Sequence, residues 1–420
     1  MAAAAAHPGT PDRRATRDAA LALTAGFLGW TLDAFDYFLV VIALPQIADE
    51  FNVKHDVIAW SLMLTLMFRP VGALVFGLLA DRYGRRGPMM ANLVFFSIVE
   101  VATGFAPNIT AFLVLRALFG IGMGGEWGVG ASLVMEKVSP RWRGVLSGML
   151  QEGYAAGNLL SAVAAYFMLE RTWLRGSFDP HGWRVMFFLG GLPALLAVFI
   201  RLFVRESEVW QKSRAESWSR LGSAIASHWK LWLYLVALMS MMNLSSHGTQ
   251  DLFPAFMKSY RKLEPRTYAT VVMVMATGAI VGGVLFGLAS DRRGRRRMMV
   301  TAFAGAILVA PLWAMASDLR WIFVGAFLMQ FMIQGAWGII PAHINELSPD
   351  RVRGFLPGFA YQCGNLVASG VATVQAVAAD HCDYAWVMLT SALMIFPVAI
   401  LVTQLGPERR GVVFGRQGDG

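Results

Sequence analysis

Charged residues are scarce in this chain, and their scarcity excludes an ordinary soluble domain. Only 15% of the 420 residues are charged, whereas soluble domains carry about 25%. Hydrophobic residues make up 56% of the sequence, and the mean hydropathy is +0.52. The apolar residues form runs that are too long for the core helices of a soluble protein. The composition therefore predicts an all-α membrane protein.

Cysteine and the short motifs of enzyme active sites are also nearly absent. Cys363 falls in an apolar run and Cys382 in a short loop, which makes neither a disulfide framework nor a metal site. No nucleophile–base arrangement, metal-ligand spacing or nucleotide loop is present. The glycine-rich run after Arg116 lies inside an apolar segment and follows no strand, so it fails as a dinucleotide site. We therefore predict no enzyme activity, no metal and no cofactor.

Long apolar runs follow one another along almost the whole chain. A helix needs about 20 apolar residues to cross a bilayer. About twelve runs of that length lie between residues 21 and 405, so we predict twelve transmembrane helices. The segment 1–20 is rich in Ala and Arg and lacks an apolar centre. It is expected to be a tail rather than a cleavable signal peptide.

The net charge of +9 is explained by topology rather than by a nucleic-acid partner. If the N-terminus lies in the cytoplasm, Lys and Arg concentrate in the cytoplasmic loops, as the positive-inside rule expects. We therefore expect no nucleic-acid binding and both termini in the cytoplasm. The expected location is the plasma membrane, as in a bacterial inner membrane, and the expected state is a monomer.

The second half of the sequence repeats features of the first half at a fixed distance. GLLADRYGRR begins at Gly77 and GLASDRRGRR at Gly287, 210 positions later. The same distance relates GEWG to GAWG, and Arg143 to Arg353. Matches at one spacing indicate a six-helix unit used twice in parallel orientation. The predicted segments are a tail (1–20), a six-helix bundle (21–204), a linker (205–229), a second six-helix bundle (230–405) and a tail (406–420).

The paired loops, the twelve spans and the parallel halves resemble the major facilitator superfamily. The resemblance covers the whole chain and implies two pseudo-symmetric bundles around a central cavity. It also implies that an acid near a helix end holds nearby arginines and the facing helix terminus, which closes the cytoplasmic side in one state. The implied gate residues are Gly77, Asp81, Arg82, Gly84, Arg85, Gly287, Asp291, Arg292, Gly294 and Arg295.

A polar stripe interrupts the seventh apolar segment. Its members recur at i, i+3, i+4, i+7 and i+8, so on a helix they share one face. They are Asn243, Ser246, His247, Gln250 and Asp251. Asp33, Asp36 and Tyr37 form a matching group in the first segment, 210 positions before Asn243, Ser246 and His247. The resemblance implies that both groups face the cavity.

Other charges lie at membrane depth, mostly in the first half. Arg69 and Glu126 are examples, and Ala279 and Ala336 occupy the matching positions of the second half. A central charge costs about 2.5–3.5 kcal/mol on insertion scales, so its presence points to a functional role. We expect proton coupling in the first half and neutral substrate contacts in the second. The candidate proton-coupling residues are Asp33, Asp36, Glu126, His247 and Asp251.

Two local sequences resemble one branch of the superfamily. GWTLDAFDYF resembles the first helix of the sialate:proton symporter family, and NLSSHGTQD resembles the seventh-helix signature of lactate and pyruvate permeases within it. The signature's last threonine is replaced here by Ala255, which follows Pro254. The resemblance implies proton and substrate roles for Asn243, His247, Asp251, Arg69 and Gln250. Further candidate substrate contacts are Tyr37, Asn158, Asn365 and Tyr361.

The chemistry of a small 2-hydroxy or 2-keto acid agrees with these residues. The guanidinium of Arg69 presents a planar fork that matches a carboxylate. Asn243, His247 and Gln250 would hydrogen-bond the second oxygen. Transport of one proton with one anion is electroneutral. We therefore expect a symporter for protons and small monocarboxylates such as lactate or pyruvate, whose partners are the substrate, protons and the lipid bilayer.

Three alternatives remain open. Sialic acid carriers of this family often have two extra spans near the middle, and the linker here holds none. Symporters of aromatic acids usually read D-G-x-D in the first helix, whereas Ala34 replaces the glycine here. A transporter-like sensor tends to have a long cytoplasmic tail, and few residues follow Leu405.

Overall fold

The folded chain is helical. The computed structural model describes residues 13–169, 179, 182–214, 217–253 and 256–415, and among these no β-strand occurs. The first half and the linker contain α1 (Arg13–Phe51), α2 (His55–Tyr83), α3 (Arg86–Gly104), α4 (Ile109–Lys137), α5 (Arg143–Gln151), α6 (Gly153–Leu169), α7 (Trp183–Leu189), α8 (Pro193–Phe203), α9 (Glu208–Ser213) and α10 (Trp218–Ser227). The second half contains α11 (Trp229–Gln250), a π-helical turn (Phe256–Tyr260), α12 (Pro265–Arg293), α13 (Arg295–Met315), α14 (Leu319–Leu347), a 3₁₀ turn (Asp350–Val352), α15 (Leu356–Ala368), α16 (Val371–Ala379) and α17 (Tyr384–Leu405).

Nine helical stretches of the described chain are long and apolar enough to cross a membrane. The sequence predicts twelve spans, and the difference has local causes. The fifth and eleventh spans are each divided into two shorter helices, α5 with α6 and α15 with α16. The seventh span, α11, is 22 residues long, but its polar stripe lowers its hydropathy. The order of twelve spans along the chain is therefore retained.

The two halves use the same packing pairs. In the first half the second span (α2) packs on the fourth (α4), and the first span (α1) packs on the fifth (α6). In the second half the eighth span (α12) packs on the tenth (α14), and the seventh span (α11) packs on the eleventh (α15). The halves meet where α5 contacts α12 and α14, and where α15 contacts α2 and α4. Because the contacts across the interface are also exchanged by the repeat, one end of the molecule has a nearly symmetric seam.

Two glycines end the helices that lead to this seam. Gly84 follows α2 with φ +106°, and Gly294 follows α12 with φ +102°. A positive φ of this kind strains residues that carry a Cβ, so glycine suits the position. Each glycine donates its N–H back to the helix, Gly84 to the carbonyl of Ala80 at 3.2 Å and Gly294 to that of Ser290 at 3.1 Å. The turn therefore places the loop motif at the same point in both halves.

The outer surface around the middle of the bundle is apolar. Ile98 is 63% exposed, Leu195 66% and Leu308 81%. Soluble proteins rarely expose contiguous apolar surface on this scale. Hydrocarbon is the environment that suits such a surface.

The predicted linker, residues 205–229, carries the short helices α9 and α10. Trp210 on α9 donates its indole N–H to the carbonyl oxygen of Asp81 at 2.8 Å. The linker thus lies against the loop motif of the first half. At the other end of that half, α1 begins at Arg13, inside the predicted tail, and residues 1–12 lie outside the described chain.

Candidate functional site

A cavity of about 270 Å³ lies between the two halves. The first half lines it with Trp30, Tyr37, Leu66, Arg69, Gln151, Glu152, Tyr154, Ala155 and Asn158. The second half lines it with Asn243, Ser246, His247, Gln250, Asp251, Val272, Met275, Ala276, Ala279, Gln330, Gln334, Trp337, Tyr361 and Asn365. Charged, amide and aromatic groups converge from both repeats, which suits a small polar ligand.

All five residues of the polar stripe on α11 line this cavity. Their helical spacing gives them one face, and the opposite face of α11 is buried against its own half through residues such as Leu235, Leu238 and Met242. Thr249 of the signature does not reach the cavity, because its hydroxyl is buried and donates to the carbonyl of Ser245 at 2.8 Å. Pro254 and Ala255 lie outside the described residues.

His247 is held between two hydrogen-bond acceptors. Its Nδ1 lies 3.0 Å from Oδ2 of Asp251, and its Nε2 lies 3.1 Å from Oδ1 of Asn365. A neutral imidazole donates from one nitrogen only, whereas an imidazolium donates from both. The arrangement therefore suits a ring that takes up and releases a proton. The carboxylate of Asp251 is 41% exposed and connects the pair to the cavity.

Amide side chains continue this polar surface. Gln250 donates from Nε2 to Oε1 of Gln330 at 3.1 Å, which links α11 to α14. The Nδ2 of Asn243 donates to the carbonyl of Met239 at 2.8 Å, one turn back on α11. Nε2 of Gln330 is buried and has no protein partner among the described residues. The wall made by the second half is thus neutral except at His247 and Asp251.

Arg69 is a buried cation whose hydrogen-bond donors are only partly satisfied. Its side chain is on α2, the residue is 4% exposed, and Nε and Nη2 make no hydrogen bond within the described chain. Its Cζ lies 5.8 Å from the ring centroid of Tyr361, so the guanidinium faces the second half across the cavity. A buried guanidinium with unsatisfied donors is costly. An anion in the cavity would supply the missing acceptor.

The backbone at Arg69 is positioned by a glycine on the neighbouring helix. A Cβ on Gly124 of α4 would lie 2.7 Å from Cα of Arg69, closer than real Cβ contacts allow. Glycine at this place lets α2 and α4 approach closely. Pro70 follows Arg69 within α2 and lacks an N–H, so the carbonyl of Leu66 loses its usual helical partner at the cavity wall.

Three of the predicted proton-coupling acids lie away from the cavity. Asp33 and Asp36 are 0% exposed and Glu126 is 1% exposed, and none of their carboxylate oxygens has a hydrogen-bond partner in the described structure. The cavity is lined on α1 by Trp30 and Tyr37 instead. At about 100° per residue these two point within about 20° of each other, while Asp36 points about 100° away from Tyr37. The expectation that both aspartates face the cavity therefore differs from the structure.

Glu126 points into the first half. A Cβ on Gly130 would lie 3.2 Å from its Oε1, and one on Gly29 of α1 would meet the same oxygen. The carboxyl group is thus enclosed between α4 and α1. Electrostatic interactions nevertheless connect it to Asp33 and to Arg69. The buried acids and the cavity arginine therefore form one electrostatic group that spans the wall of the first half.

Glu100, another acid at membrane depth, has a complete set of partners. Its Oε2 lies 2.5 Å from Nη2 of Arg116, which also donates to Oγ1 of Thr103 at 2.7 Å. The guanidinium lies 4.6 Å from the ring centroid of Phe119. Because these charges pair with one another, they stabilise the helix packing, and Nε of Arg116 is the one donor of the pair without a partner among the described residues.

Aromatic rings form one wall of the cavity. The ring centroid of Tyr361 lies 5.7 Å from that of Trp337 and 6.4 Å from that of Trp30, and Trp30 lies 5.5 Å from Tyr154. Trp127 lies 4.6 Å from Tyr361 on the side away from the cavity. The cavity lining also includes residues that were not among the predicted contacts, such as Trp30, Tyr154, Trp337 and Gln330. A usable signal was present for Trp337, which is the repeat partner of Trp127 in GAWG and GEWG. The other four predicted contacts, Tyr37, Asn158, Tyr361 and Asn365, line the cavity.

The loop motifs join the two halves at one end of the bundle. Asp81 accepts hydrogen bonds from the backbone N–H groups of Gly354 and Phe355, at 2.7 Å and 2.9 Å. Asp291 accepts the equivalent pair from Gly144 and Val145, at 2.8 Å and 3.2 Å. The residues of the two sets differ by 210 positions throughout. Each acid therefore ties the end of one half's helix to the start of a helix in the other half.

Arginines complete each of these junctions. Arg85 contacts Asp81 at 2.5 Å and Glu136 at 3.0 Å, and Arg295 makes the repeat-related contacts, to Asp291 at 2.8 Å and to Glu346 at 3.0 Å. Burial acts to lower the pKa of Arg85, but Glu136 and Asp81 outweigh it and leave that pKa above its usual value.

The predicted gate glycines pack at the same junctions, and two of the predicted gate arginines, Arg82 and Arg292, are less buried than Arg85 and Arg295. A Cβ on Gly77 would lie 2.8 Å from Cα of Phe355, and one on Gly287 would meet the backbone of Gly144. Arg82 is half-buried with its Cζ 5.4 Å from the ring centroid of Tyr83, and Arg292 is exposed. The end of the bundle that carries the two loop motifs, called the motif end below, is thus held shut by these contacts. Asp251 lies at the other end of α11, and its side chain is exposed. The cavity is therefore accessible from the end opposite the loop motifs.

A family comparison and individual relatives agree with this architecture. The model of the Major Facilitator Superfamily matches residues 26–369 and 252–415. The "Carboxylic acid transporter protein homolog" of Saccharomyces cerevisiae is 28% identical over 414 residues, which are 89% of this chain and 66% of the relative. The "Probable 4-methylmuconolactone transporter" of Cupriavidus pinatubonensis is 28% identical over 415 residues, which are 98% of this chain and 94% of the relative. This chain thus spans slightly less than two thirds of the yeast relative.

A solved structure shares the fold. The proton:xylose symporter XylE matches with a TM-score of 0.78 and 17% identity, over 95% of this chain and 98% of that chain. The family comprises membrane transporters and not enzymes. The two related helical halves, the cavity between them and the match over nearly the whole sequence lead to one conclusion. This chain is an integral membrane protein of the major facilitator superfamily.

Proposed function

We propose that the protein is a symporter of protons and small monocarboxylates, such as lactate or pyruvate, that works by alternating access. The observation that carries the proposal is the guanidinium of Arg69, which is buried at the cavity with two unsatisfied nitrogens, Nε and Nη2, and faces a wall of hydrogen-bonding groups. A cation in this setting calls for an anion. The name of the yeast relative, which refers to carboxylic acids, supports the same substrate class.

The substrate carboxylate is placed on Arg69 and the second oxygen on the opposite wall. A guanidinium binds a carboxylate through two parallel N–H···O bonds, which fixes its orientation as well as its charge. Asn243, His247 and Gln250 then offer amide and imidazole groups to a 2-hydroxy or 2-keto oxygen. The cavity volume of about 270 Å³ lies at the small end of ligand sites, which favours a small acid.

Protons are assigned to two groups of residues. Asp33, Asp36 and Glu126 are buried without partners, and an ionised carboxylate is costly to bury in this way, whereas a protonated one costs less. His247 and Asp251 form the second group, at the cavity itself. Loss of a proton from the buried acids would add negative charge close to Arg69 and weaken its hold on the substrate. Proton release and substrate release are therefore coupled through one cation.

We assign the opening and closing that alternating access requires to the motif end of the bundle. The segments 21–204 and 230–405 act as the two moving bodies, 205–229 as the linker, and 1–20 and 406–420 as tails. By the positive-inside rule the arginine-rich end and both termini lie in the cytoplasm of a cell with a plasma membrane of the bacterial inner-membrane kind. The contacts of Asp81 and Asp291 then close the cytoplasmic side and leave the cavity open outward. One chain contains all of these parts, so a monomer suffices.

Uptake into proteoliposomes tests the proposal. Labelled lactate is supplied outside with and without an inward proton gradient, and pyruvate, sialate and benzoate are added as competitors. We expect gradient-dependent uptake, strong competition by pyruvate and weak competition by the other two acids. Uptake that ignores the gradient would contradict symport, and binding without any uptake would indicate a transporter-like sensor.

An aromatic acid is the second candidate substrate, because aromatic rings form a wall of the cavity. Trp30, Tyr154, Trp337 and Tyr361 would stack on a planar ring, and offset ring pairs contribute about 0.5–1.5 kcal/mol beyond area burial. Stronger competition by benzoate than by pyruvate in the same assay favours this substrate. Stronger competition by sialate favours the larger sugar acid.

A further inference from the structure

A basic groove lies at the loop-motif end of the second half, and none of its lining residues lines the cavity between the halves. It has a volume of about 1160 Å³ and lies between the start of α13 and the end of α17. Five arginines line it: Arg292, Arg293, Arg296, Arg297 and Arg410. Glu408 is the one acidic residue among the lining groups. We propose that this groove binds the headgroup of an anionic phospholipid of the adjacent leaflet.

Some of these arginines are held by hydrogen bonds to backbone carbonyls, and others are exposed. Arg296 donates from Nε to the carbonyl of Thr403 at 3.1 Å and from Nη2 to that of Gln404, which joins α13 to α17. Arg410 donates to the carbonyl of Arg292. Arg293 and Arg297 are exposed and have no acidic partner in the described part of the chain. The groove therefore combines arginines that are held by backbone carbonyls with exposed arginines that can reach a phosphate.

Glu408 does not neutralise the groove. Its Oε2 accepts the backbone N–H of Arg296 at 2.9 Å and so serves the start of α13. One carboxylate stands against five guanidinium groups, and the surplus of positive charge is large. Arginine is the residue best suited to phosphate, because its planar donors match the oxygens of the anion.

The apolar surface next to the groove favours a lipid over a free anion. On α13, Arg297, Thr301 and Leu308 lie on one exposed face, and Leu308 is 81% exposed. On α17, Leu401 and Leu405 are 56% and 74% exposed. Acyl chains that lie along these leucines would hold the phosphate at the arginines. Basic pockets between helices on the cytoplasmic side suit anionic headgroups in the same way.

In the first half, the repeat-related positions do not all carry arginine. Tyr83 stands at the position of Arg293 and Gly87 at that of Arg297. Trp210 of the linker also lies over this corner and contacts Asp81. The proposed lipid site is therefore a property of the second half only.

Lipid binding to the purified full-length protein tests the site. Phosphatidylglycerol and phosphatidylcholine are titrated separately into the protein in detergent, and bound lipid is counted by native mass spectrometry. We expect Arg293→Gln with Arg297→Gln to weaken phosphatidylglycerol binding by about thirtyfold, because each arginine near a membrane surface contributes a factor of about five. Phosphatidylcholine is expected to bind weakly to all variants.

A matched control removes the same charge at the opposite end of the molecule. Arg266 lies at the start of α12, the helix that ends at Arg293, and Arg320 lies at the start of α14. Arg266→Gln with Arg320→Gln is expected to leave phosphatidylglycerol binding unchanged. Equal binding by wild type and by the groove variant would overturn the site. Competition by inorganic phosphate at the lipid's own concentration would also overturn it, because a small anion would then be sufficient.

The C-terminal tail contacts both halves of the molecule through Phe414. Phe414 is 8% exposed and lies between two arginines, with its ring centroid 3.8 Å from Cζ of Arg143 and 3.7 Å from Cζ of Arg353. Arg143 belongs to the first half and Arg353 to the second. Arg143 also donates to the carbonyl of Val412 at 2.9 Å, and the N–H of Gly415 donates to Asp350 at 2.8 Å.

We propose that the tail residues 411–415 act as a latch that stabilises the closed motif end. The latch rests on the alternating-access function proposed above. A ring that contacts a cation from each half loses one of them when the halves separate. Desolvated cation–π contacts are stronger than exposed ones, so the loss favours the closed state.

Cysteine labelling measures the latch without using transport. Ser147 is buried between the halves, where its Oγ accepts the backbone N–H of Ala342 at 3.0 Å. Ser147→Cys is made in a chain whose Cys363 and Cys382 are serine, and its alkylation rate is measured in proteoliposomes. Phe414→Leu is expected to speed alkylation about tenfold, because an aromatic ring between two cations is lost.

Two further variants make the result specific. Phe414→Tyr keeps the ring and is expected to label at the parent rate. Val413→Ala changes a neighbouring residue that is 46% exposed, and it is also expected to label at the parent rate. Equal labelling by the Leu and Tyr variants would overturn the latch, whereas loss of lactate uptake alone would bear on the proposed function.

Discussion

The two halves of this molecule share their helices and their seam but differ in the charge they present to the cavity. Arg69, which lines the cavity, corresponds to Ala279 in the second half, and Glu126, which is enclosed behind the cavity wall, corresponds to Ala336. At the seam, by contrast, Asp81 and Asp291 make repeat-related contacts. The repeat therefore sets the backbone geometry of both halves, while single side chains set the chemistry of each cavity wall.

The halves also differ on the outer side of the seam. The linker covers the first half there, through Trp210 and the carbonyl of Asp81. The corresponding corner of the second half is an open groove lined by arginines. The symmetric seam is therefore flanked by two different surfaces. The linker covers the one on the first half, and the groove on the second half is open to the lipid proposed above.

The largest expected effect separates the two cavity walls. Arg69→Gln should weaken binding of the monocarboxylate about a hundredfold or more, because truncating one partner of a buried charge pair costs about 2–5 kcal/mol. Asn158→Ala, a neutral change on the same half, should weaken it less than tenfold. Isothermal titration of the purified protein with lactate measures both. Equal, small effects would contradict the role of Arg69 as anion anchor.

The next effect concerns the buried acids of the first half. Asp33→Asn and Glu126→Gln should abolish uphill accumulation, which one proton per substrate drives to about tenfold per pH unit, since one unit is worth about 1.4 kcal/mol. Exchange of labelled for unlabelled substrate should survive, because it needs no net proton movement. Proteoliposome accumulation and exchange are measured on the same preparations. Accumulation that persists in both variants would remove these acids from the coupling mechanism.

A smaller difference is expected between variants of the two acids of the loop motifs, Asp81 and Asp291. An asparagine at either position can accept only one of the two backbone N–H bonds that each carboxylate accepts. Asp81→Asn should lower the uptake rate about tenfold and Asp291→Asn about threefold, because Asp81 is fully buried and its bonds are shorter. Initial rates of lactate uptake test the order. A larger effect at Asp291 would show that the second junction dominates closure.

The smallest effect concerns the linker. Trp210→Ala removes one indole hydrogen bond to the carbonyl of Asp81 and should destabilise the protein by about 1 kcal/mol. Trp218→Ala, which removes an indole that is 49% exposed, is the control and should change stability less. Fluorescence-detected thermal unfolding in detergent gives the two midpoints. Equal unfolding midpoints for the Trp210→Ala and Trp218→Ala variants would mean that the hydrogen bond between Trp210 and Asp81 does not stabilise the protein.

Much of the site was predictable from the sequence because helical spacing is periodic. The five residues from Asn243 to Asp251 could be grouped on one face of a helix from their numbers alone. The gate positions could be paired through the 210-residue repeat. Arg69 could be singled out because an arginine within an apolar run is rare. Each of these predictions depends on local pattern, and no contact between distant residues is needed.

Other parts of the site could not be predicted, because they depend on how helices are rotated against one another. Asp36 and Tyr37 are neighbours in sequence, yet one is buried in its half and the other lines the cavity. Gln330 meets Gln250 only after α14 packs beside α11. Phe414 is an isolated aromatic in a tail, and nothing in the sequence places it between two arginines from different halves.

By itself, the sequence determined the membrane class, the twelve-span order, the internal repeat and the residues with unusual charge for their depth. These follow from composition and periodicity, which a linear chain carries in full. Only the tertiary structure decided which charges are paired, which carboxyl groups are enclosed and which end of the cavity is shut. Those outcomes depend on distances of a few ångströms between side chains far apart in sequence, and only packing sets such distances.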